Sequence, residues 1–291
     1  MKGWFMDKYM EKAVVRSQTR IAEGIFSLWL EAPQIASLAE AGQFVNAYCN
    51  EQSRLLPRPI SICKTDSDCG LIRLVYRVAG KGTVEFSKLV PGDTIDVLGP
   101  LGNGFIAASG IPKEGEKLML IGGGIGIPPM LGLAASFSAS GSTASRAGTT
   151  ASCISSSSST DAVGSDIDIV LGYRDETFLS DDFVGLGNIY LATEDGSKGI
   201  KGTVLDAINE NSLKPDIIYA CGPTPMLRAI KAYAEKNSIT AWLSLEERMA
   251  CGVGACLGCV VRTERTDEHS NVRNRRVCAD GPVFEATEVI I

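Results

Sequence analysis

Residues Lys117–Pro129 read KLMLIGGGIGIPP. A short apolar run enters three consecutive glycines, a fourth glycine follows, and two prolines stand where a helix would open. Such a run that stops at glycine reads as a strand ending in a turn. Proline suits the first helical turn, where an N–H has no intrahelical partner anyway. The unit is therefore strand, turn, helix. Its spacing is not the G-x-G-x-x-G fingerprint. Gly122, Gly123, Gly124 and Gly126 permit a pyrophosphate to approach the backbone at a helix N-terminus. A turn that only packs strand against helix is the competing reading.

Working outward toward the C-terminus, the apolar segments DIDIVLGYR (166–174), NIYLATED (188–195) and DIIYACGP (216–223) recur. The last is followed by the helical pattern TPMLRAIKAYAEKNS (224–238). Strands in alternation with helices predict a parallel sheet covered by helices over 113–243. Cys221, Gly222 and Pro223 close a strand where ligands of open α/β sheets sit. Cys221 there stands beside a nicotinamide or is a buried structural thiol. Residues 136–165 are mostly Ser, Ala, Thr and Gly. They bury too little apolar surface to offset their ordering entropy, and read as a flexible insertion in which Cys153 is a free thiol.

Toward the N-terminus the pattern differs. FSLWLEA (26–32), GQFVNAYC (42–49), PISICK (59–64), LIRLVYRVA (71–79) and DTIDVLG (93–99) are short, β-branched or aromatic, and bounded by Gly, Pro or Asp. Five or six such strands with little helix predict a small antiparallel barrel over 1–112.

The whole chain has 291 residues, 45% apolar and 21% charged, with net charge -6. That suits two domains of ordinary size and argues against a nucleic-acid surface. No apolar run approaches the ~20 residues of a membrane span, and the start MKGWFMDKYMEKAVV lacks the pattern of a signal peptide. A cytoplasmic, reducing setting is the expectation, where clustered cysteines bind metal or do redox chemistry. His269 is the single histidine, which disfavours a catalytic triad or a multi-histidine zinc site.

Four of the nine cysteines fall within 244–291. Cys251, Cys256 and Cys259 have the spacing C-x4-C-x2-C, and Cys278 follows. This is the plant-type pattern of a [2Fe–2S] cluster held by four thiolates. Gly252, Gly254 and Gly258 let the loop curl at positive φ and turn N–H groups toward sulfur. A structural zinc site competes, although only one half has the C-x2-C spacing of a zinc knuckle. Ser244 and Glu247 have capping-box spacing, which predicts a short helix before the loop. Cys49, Cys63 and Cys69 lack ligand spacing and read as packing residues.

Arg58, Pro59, Ile60 and Ser61 lie on one predicted strand. The guanidinium can pair with a pyrophosphate, and the serine can approach a flavin ring; an ordinary edge strand with prolines is the alternative. Val75, Tyr76 and Arg77 on the next strand, then Gly82 and Thr83 at a helix start, add ring- and phosphate-directed groups. Three such elements on one barrel imply a dinucleotide flavin.

Together RPIS, the Gly-Gly-Gly-x-Gly turn and CGP resemble the ferredoxin–NADP reductase superfamily over nearly the whole chain. RPISI, VYRVAGKGT, GPLGNGF and the C-terminal C-x4-C-x2-C…C are similar to the electron-transfer subunits of class 1B dihydroorotate dehydrogenase. The resemblance implies FAD held by Arg58 through Ser61, Val75 through Arg77, and Gly82 with Thr83. It implies NAD at the glycine turn and at Cys221–Pro223, and a [2Fe–2S] cluster on Cys251, Cys256, Cys259 and Cys278. The Ser-rich insertion and the long gap before Cys278 depart from the family pattern. The implied partner is an FMN-containing catalytic subunit that oxidises dihydroorotate to orotate in pyrimidine biosynthesis, two of each forming a heterotetramer. The implied task is relay: a flavin takes hydride as an electron pair, and the cluster passes electrons singly. No side chain is expected to act as a general base. Asp175 and Glu176 after IVLGYR favour NAD over NADP, with Arg174 beside them weighing the other way. Three alternatives stay open. One is a flavin subunit of a ferredoxin–NADP transhydrogenase or a hydrogenase. The others are a stand-alone NADH reductase and a redox-sensing module without turnover.

Overall fold

A computed structural model describes residues 8–140, 167–266 and 271–291. The Ser-rich stretch beyond Ser140, Cys153 and His269 lie outside the described residues.

The first part contains β1 (Tyr9–Ala22), β2 (Ile25–Glu31), α1 (Pro33–Leu38), β3 (Phe44–Ala47), β4 (Arg58–Asp66), β5 (Leu71–Arg77), α2 (Lys81–Phe86), β6 (Thr94–Leu101) and α3 (Phe105–Ser109). The six strands close an antiparallel barrel in the order β1-β2-β5-β4-β3-β6. Five of them coincide with the predicted runs. The sixth, β1, has no clean alternation, because its register shifts between Val15 and Ser17 and again between Arg20 and Ala22. Each shift flips the side-chain faces and erases the period-two signal. Ala13, Val15, Leu28, Leu30, Val45, Ala47, Ile60, Ile62, Ile72, Leu74, Tyr76 and Val97 fill the barrel.

The second part contains β7 (Leu118–Gly123), α4 (Ile127–Ser140), β8 (Ile167–Tyr173), β9 (Asn188–Thr193), β10 (Ile200–Lys201), α5 (Val204–Glu210), β11 (Ile217–Cys221), α6 (Thr224–Asn237) and β12 (Thr240–Ser244). The chain ends with β13 (Val260–Thr263), β14 (Asn274–Arg276), β15 (Val283–Glu285) and β16 (Val289–Ile290). The large sheet runs β10-β9-β8-β7-β11-β12-β15, parallel except for β15. The segment 136–140, expected to belong to the insertion, instead completes the last turns of α4.

Two returns of the chain set where the parts meet. β15 leaves the cysteine-bearing region to pair antiparallel with β12, Ser244 opposite Val283. That pairing overturns the helix expected at Ser244. Ser244 is the last residue of β12, and Leu245 donates its N–H to the Pro282 carbonyl at 2.9 Å. A ladder with a distant strand outweighs a local cap worth about 1 kcal/mol. Phe44 and Leu101 of the barrel share one apolar core with Leu243, Cys259, Val277, Cys278 and Phe284. Across the other face, Cys63 and Val75 of the barrel pack with α4.

β7 and β11 are adjacent, while β8 and β9 extend from the other side of β7. The strand order therefore switches direction at the C-terminal ends of β7 and β11, where open α/β sheets place their ligands. The two turns there touch. A Cβ on Gly126 would lie 2.3 Å from the Cys221 carbonyl oxygen and 2.5 Å from the Gly222 nitrogen. Both are backbone atoms and cannot swing aside. Gly126→Ala is therefore expected to cost about 3 kcal/mol through overpacking. In a thermal melt that is a drop on the order of 5–10 °C in a chain of this size. A melt within a degree of the parent would show that the turns part easily.

Candidate functional site

The barrel offers its outer face to a ligand along β4 and β5. Ile60 and Ile62 point into the barrel core, so Pro59 and Ser61 point outward. Arg58 Nη1 donates to the carbonyls of Leu56 and Pro57. Its guanidinium lies over the first turn of α2. A Cβ on Gly82 would fall 2.4 Å from Arg58 Nε. Gly82 is thus the cradle that lets the cation rest against a helix start, and a pyrophosphate suits the combination of guanidinium and open N–H groups. The Thr83 hydroxyl is already used inside this turn: Ala79 and Gly80 donate their N–H groups to it at 2.9 and 3.1 Å.

On β5 the expected residues divide. Tyr76 points into the barrel, stacked on Phe26, and its hydroxyl donates to Gln18 Oε1 at 2.9 Å. Burial pushes that phenol well above its ordinary value, and only its main chain remains for a ligand. Val75 is buried against the sheet part. Arg77 is exposed and reaches the glycine turn, 3.6 Å from where a Gly124 Cβ would stand.

The glycines of that turn also divide. Gly122 is crowded by Ile127, Gly123 and Gly222 by Met226, and Gly126 by Cys221. Their small size is required by packing. Gly124, at φ +52°, meets only the Arg77 guanidinium and has room for a ligand. Cys221 is buried and its thiol is pushed up to about 12, by burial first and by the Glu246 charge second, against a hydrogen bond with Ser244. It stays a neutral thiol. Glu246 itself is pushed upward by the protein around it and drawn back by Arg77. Solvent reaches the residue even so. Sequence reasoning did not single out Glu246, which carries no motif and is set apart only by its place beside Cys221 and Arg77. Beyond β8, Asp175 and Glu176 are exposed, and Glu176 already accepts the Glu23 N–H at 2.6 Å.

The four cysteines come together at the end of the sheet. Cys259 and Cys278 are buried, Cys251 is half-buried and Cys256 is exposed. The Cys251 and Cys256 thiols interact, and so do those of Cys259 and Cys278. Two pairs of thiols suit a two-iron cluster, in which each iron takes two. Among the described residues, no three such side chains are gathered for one metal ion. Backbone N–H groups surround the sulfurs. Val253 and Ala255 donate to Cys251 Sγ at 3.4 and 3.3 Å, Gly254 to Cys278 Sγ at 3.1 Å, Gly258 to Cys256 Sγ at 3.4 Å and Cys278 to Cys259 Sγ at 3.4 Å. Burial opposes ionisation of Cys251, but the N–H groups led by Val253 bring its thiol down to about 6. Burial and the neighbouring Cys259 push Cys278 up to about 12. Thiolate-directed N–H groups are what a cluster's sulfurs require.

Positive φ occurs at Gly252 and Gly254, as expected for the loop, but not at Gly258. Leu257 takes it instead, at φ 57°, at a cost of roughly 1–2 kcal/mol. Arg276 fastens the loop, with its Nη1 on the Gly254 carbonyl at 3.1 Å and its Nη2 on Asp280 Oδ1 at 3.0 Å. Asn103, within the GPLGNGF stretch, donates to the carbonyls of Ala279 and Asp280.

A family profile described as the iron–sulfur cluster binding domain of dihydroorotate dehydrogenase B matches residues 246–290. One described as an oxidoreductase FAD-binding domain matches 11–105. Among curated relatives, the dihydroorotate dehydrogenase B (NAD(+)) electron transfer subunit of Geobacillus sp. (strain WCH70) is 38% identical, covering 98% of this chain and all of its own. That of Geobacillus kaustophilus (strain HTA426) is 39% identical, over 97% of this chain and 98% of its own. A solved NADH-dependent reduced ferredoxin–NADP oxidoreductase, studied for flavin-based electron bifurcation, superposes with TM-score 0.75 at 29% identity, over all of this chain and 91% of that one. An Amycolatopsis cytochrome P450 reductase at 19% identity and TM-score 0.59, over 79% of this chain and 66% of its own, shares the fold. With such identity to curated relatives over nearly its full length, this chain belongs to the electron-transfer subunits of dihydroorotate dehydrogenase B.

Proposed function

We propose that this chain relays electrons between NAD and the FMN of a catalytic partner subunit that oxidises dihydroorotate to orotate in pyrimidine biosynthesis. Near full-length identity to named electron transfer subunits carries the reading; the paired thiols with their N–H donors support it. When bound, FAD exchanges hydride with NAD and a [2Fe–2S] cluster passes electrons one at a time.

The chain's own residues bind and orient. Region 1–112 would hold FAD through Arg58, Pro59, Ile60, Ser61, Val75, Tyr76, Arg77, Gly82 and Thr83. Region 113–243 would hold NAD at Gly122, Gly123, Gly124, Gly126, Cys221, Gly222 and Pro223. Region 244–291 would hold the cluster on Cys251, Cys256, Cys259 and Cys278. Cys221 and Glu246 line the cleft between the first two; a neutral thiol there does not compete as a nucleophile. Beside the exposed Cys256, Val253 and Leu257 present apolar side chains 40% and 66% exposed. That rim suits the docking face of the catalytic subunit, in a heterotetramer of two of each. Among the described residues no helix is long and apolar enough to cross a membrane, in keeping with the proposed cytoplasmic setting. A second reading, the flavin subunit of a ferredoxin–NADP transhydrogenase, draws on the solved structure at 29% identity.

Two sets of measurements follow. Gly82→Ala should leave the melting temperature nearly unchanged, because the group it meets is the movable end of Arg58. FAD affinity should fall on the order of tenfold, as it should for Arg58→Ala, the loss of a charge-assisted contact worth roughly 1.5–3 kcal/mol. Retention of FAD by both variants would remove Arg58 from the site.

Purified without oxygen, the chain should contain iron and acid-labile sulfide in equal amounts, with FAD. Alone it should reduce small dyes with NADH and leave dihydroorotate untouched. With a class B catalytic subunit added, NAD-dependent dihydroorotate oxidation should appear. Cys256→Ser should depress that coupled activity far more than dye reduction. Coupling only with a ferredoxin- and NADP-dependent partner would favour the second reading, and stoichiometric zinc without sulfide would reject both.

A further inference from the structure

Asn46 is a polar residue with no exposed surface, on a strand of the barrel. Val45 and Ala47, on either side of it, fill the barrel core, so Asn46 and Phe44 point outward. β3 pairs with β4 so that Asn46 stands opposite Pro59 and Phe44 opposite Ser61. Directly opposed residues of an antiparallel pair share a face. Asn46 therefore stands on the same outer face as the Pro59–Ser61 edge assigned to FAD, one strand over.

What buries it is the cysteine loop. Asn46 Nδ2 donates to the Cys251 carbonyl at 3.0 Å. Gly252, at φ +69°, lies so close that a Cβ there would be 2.2 Å from Nδ2. The Cys251–Gly252 backbone is seated on this amide, as Gly254 is on Arg276. Its Oδ1 is buried with no hydrogen-bond partner. A buried acceptor without a donor weakens a fold, so stability alone does not account for an asparagine here.

We propose that Asn46 is a positioning residue for electron transfer: its Nδ2–H holds the Cys251 end of the cluster loop against the flavin-bearing face of the barrel. This rests on the relay reading above. Each NADH would give one hydride, two electrons with a proton, to bound FAD; one electron would pass to this chain's cluster, the other would stay on the flavin until the cluster has handed its own electron on, and the proton would leave as the flavin is reoxidised. Asn46 exchanges neither electron nor proton and acts only on the separation and orientation of the two sites. Electron transfer falls off exponentially with the separation of donor and acceptor, so a shifted loop slows the cluster step and leaves the flavin step as it was.

The test uses the full-length protein with its natural cofactors. Asn46→Leu keeps the branched shape, with somewhat greater bulk, and removes both the donor and the orphan acceptor. Asn46→His keeps a ring N–H as donor. FAD, iron and sulfide are quantified, melting is followed, and the cluster's paramagnetic spectrum is recorded after chemical reduction. NADH is then mixed rapidly with each protein, and flavin and cluster reduction are followed in one trace. In Asn46→Leu the ratio of cluster to flavin reduction rates should fall several-fold, with the melting temperature equal or higher and the cluster spectrum altered. Asn46→His should recover most of the ratio. If Asn46→Leu loses iron while Asn46→His keeps it, the donor is what seats the loop, and the assignment stands. A ratio within about twofold of the parent in a cluster-loaded Asn46→Leu protein would overturn it, as would equal iron loss from both variants. If the parent itself passes no electrons from NADH to its cluster, the relay fails and this assignment fails with it; an active parent with an unaffected variant sinks Asn46 alone.

Discussion

The rest of the molecule depends on one constraint, the seating of the cysteine loop on the outer wall of the barrel. The barrel and the parallel sheet also meet across α4, but the cysteine region would otherwise hang on flexible connections. Four contacts prevent that. β15 returns to the sheet beside β12. Asn103 N–H reaches the Gly281 carbonyl at 2.7 Å, and Pro282 packs where Gly102 leaves no side chain. Asn46 holds the Cys251 carbonyl. Phe44, Leu101, Cys259, Cys278 and Phe284 share one core. Two of the four thiols are thus part of the hydrophobic interior, and the region that carries redox chemistry is not an appendage.

That placement decides which charges are tolerated. Cys259 and Cys278 are buried beside each other, so ionising both without a metal sets like charges together in a poor dielectric. The upward push on Cys278 expresses that conflict. Two iron ions with their positive charge remove it, which couples cluster assembly to the order of this region. The nicotinamide side follows a different plan. Cys221 and Glu246 are both held toward their neutral forms by their surroundings, while Arg77 supplies the nearby positive charge.

Much of this was legible in the chain. The thiol spacing, the strand-ending glycines and the β-branched runs act within a few residues, and local chemistry is what a sequence displays. What escaped is non-local. β1 is masked by its own bulges, and β15 is three residues long with meaning only beside β12. Ser244–Glu247 has the letters of a cap but lies where a strand is completed from forty residues away. Asn46 is one amide in an apolar strand, without periodic signal, and only the register with Pro59 and the approach of Gly252 give it a place. The glycine turn likewise shows its crowding only in the fold. Gly122, Gly123 and Gly126 are small because protein fills the space, and Gly124 alone keeps room for a ligand.

The returning strand also explains why the cysteine region stands at this edge of the sheet. A parallel sheet ending at β12 would expose unpaired N–H and C=O groups to other chains. β15 covers that edge with an antiparallel partner, and its following residues bring Ala286 N–H onto the Ala241 carbonyl at 2.8 Å. The same three residues hold Pro282 and Cys278 next to the barrel. Edge protection and cofactor spacing are therefore served by one short pairing, so neither can be relaxed without the other. The opposite side of the loop has no such cover. Cys256, Val253 and Leu257 remain at the surface, with Leu257 kept in a left-handed conformation that its side chain disfavours. Backbone strain at an exposed apolar residue persists only where surrounding structure imposes it. Here Leu257 lies between the exposed Cys256 and the buried Cys259, and the turn leaves the Cys256 sulfur at the surface.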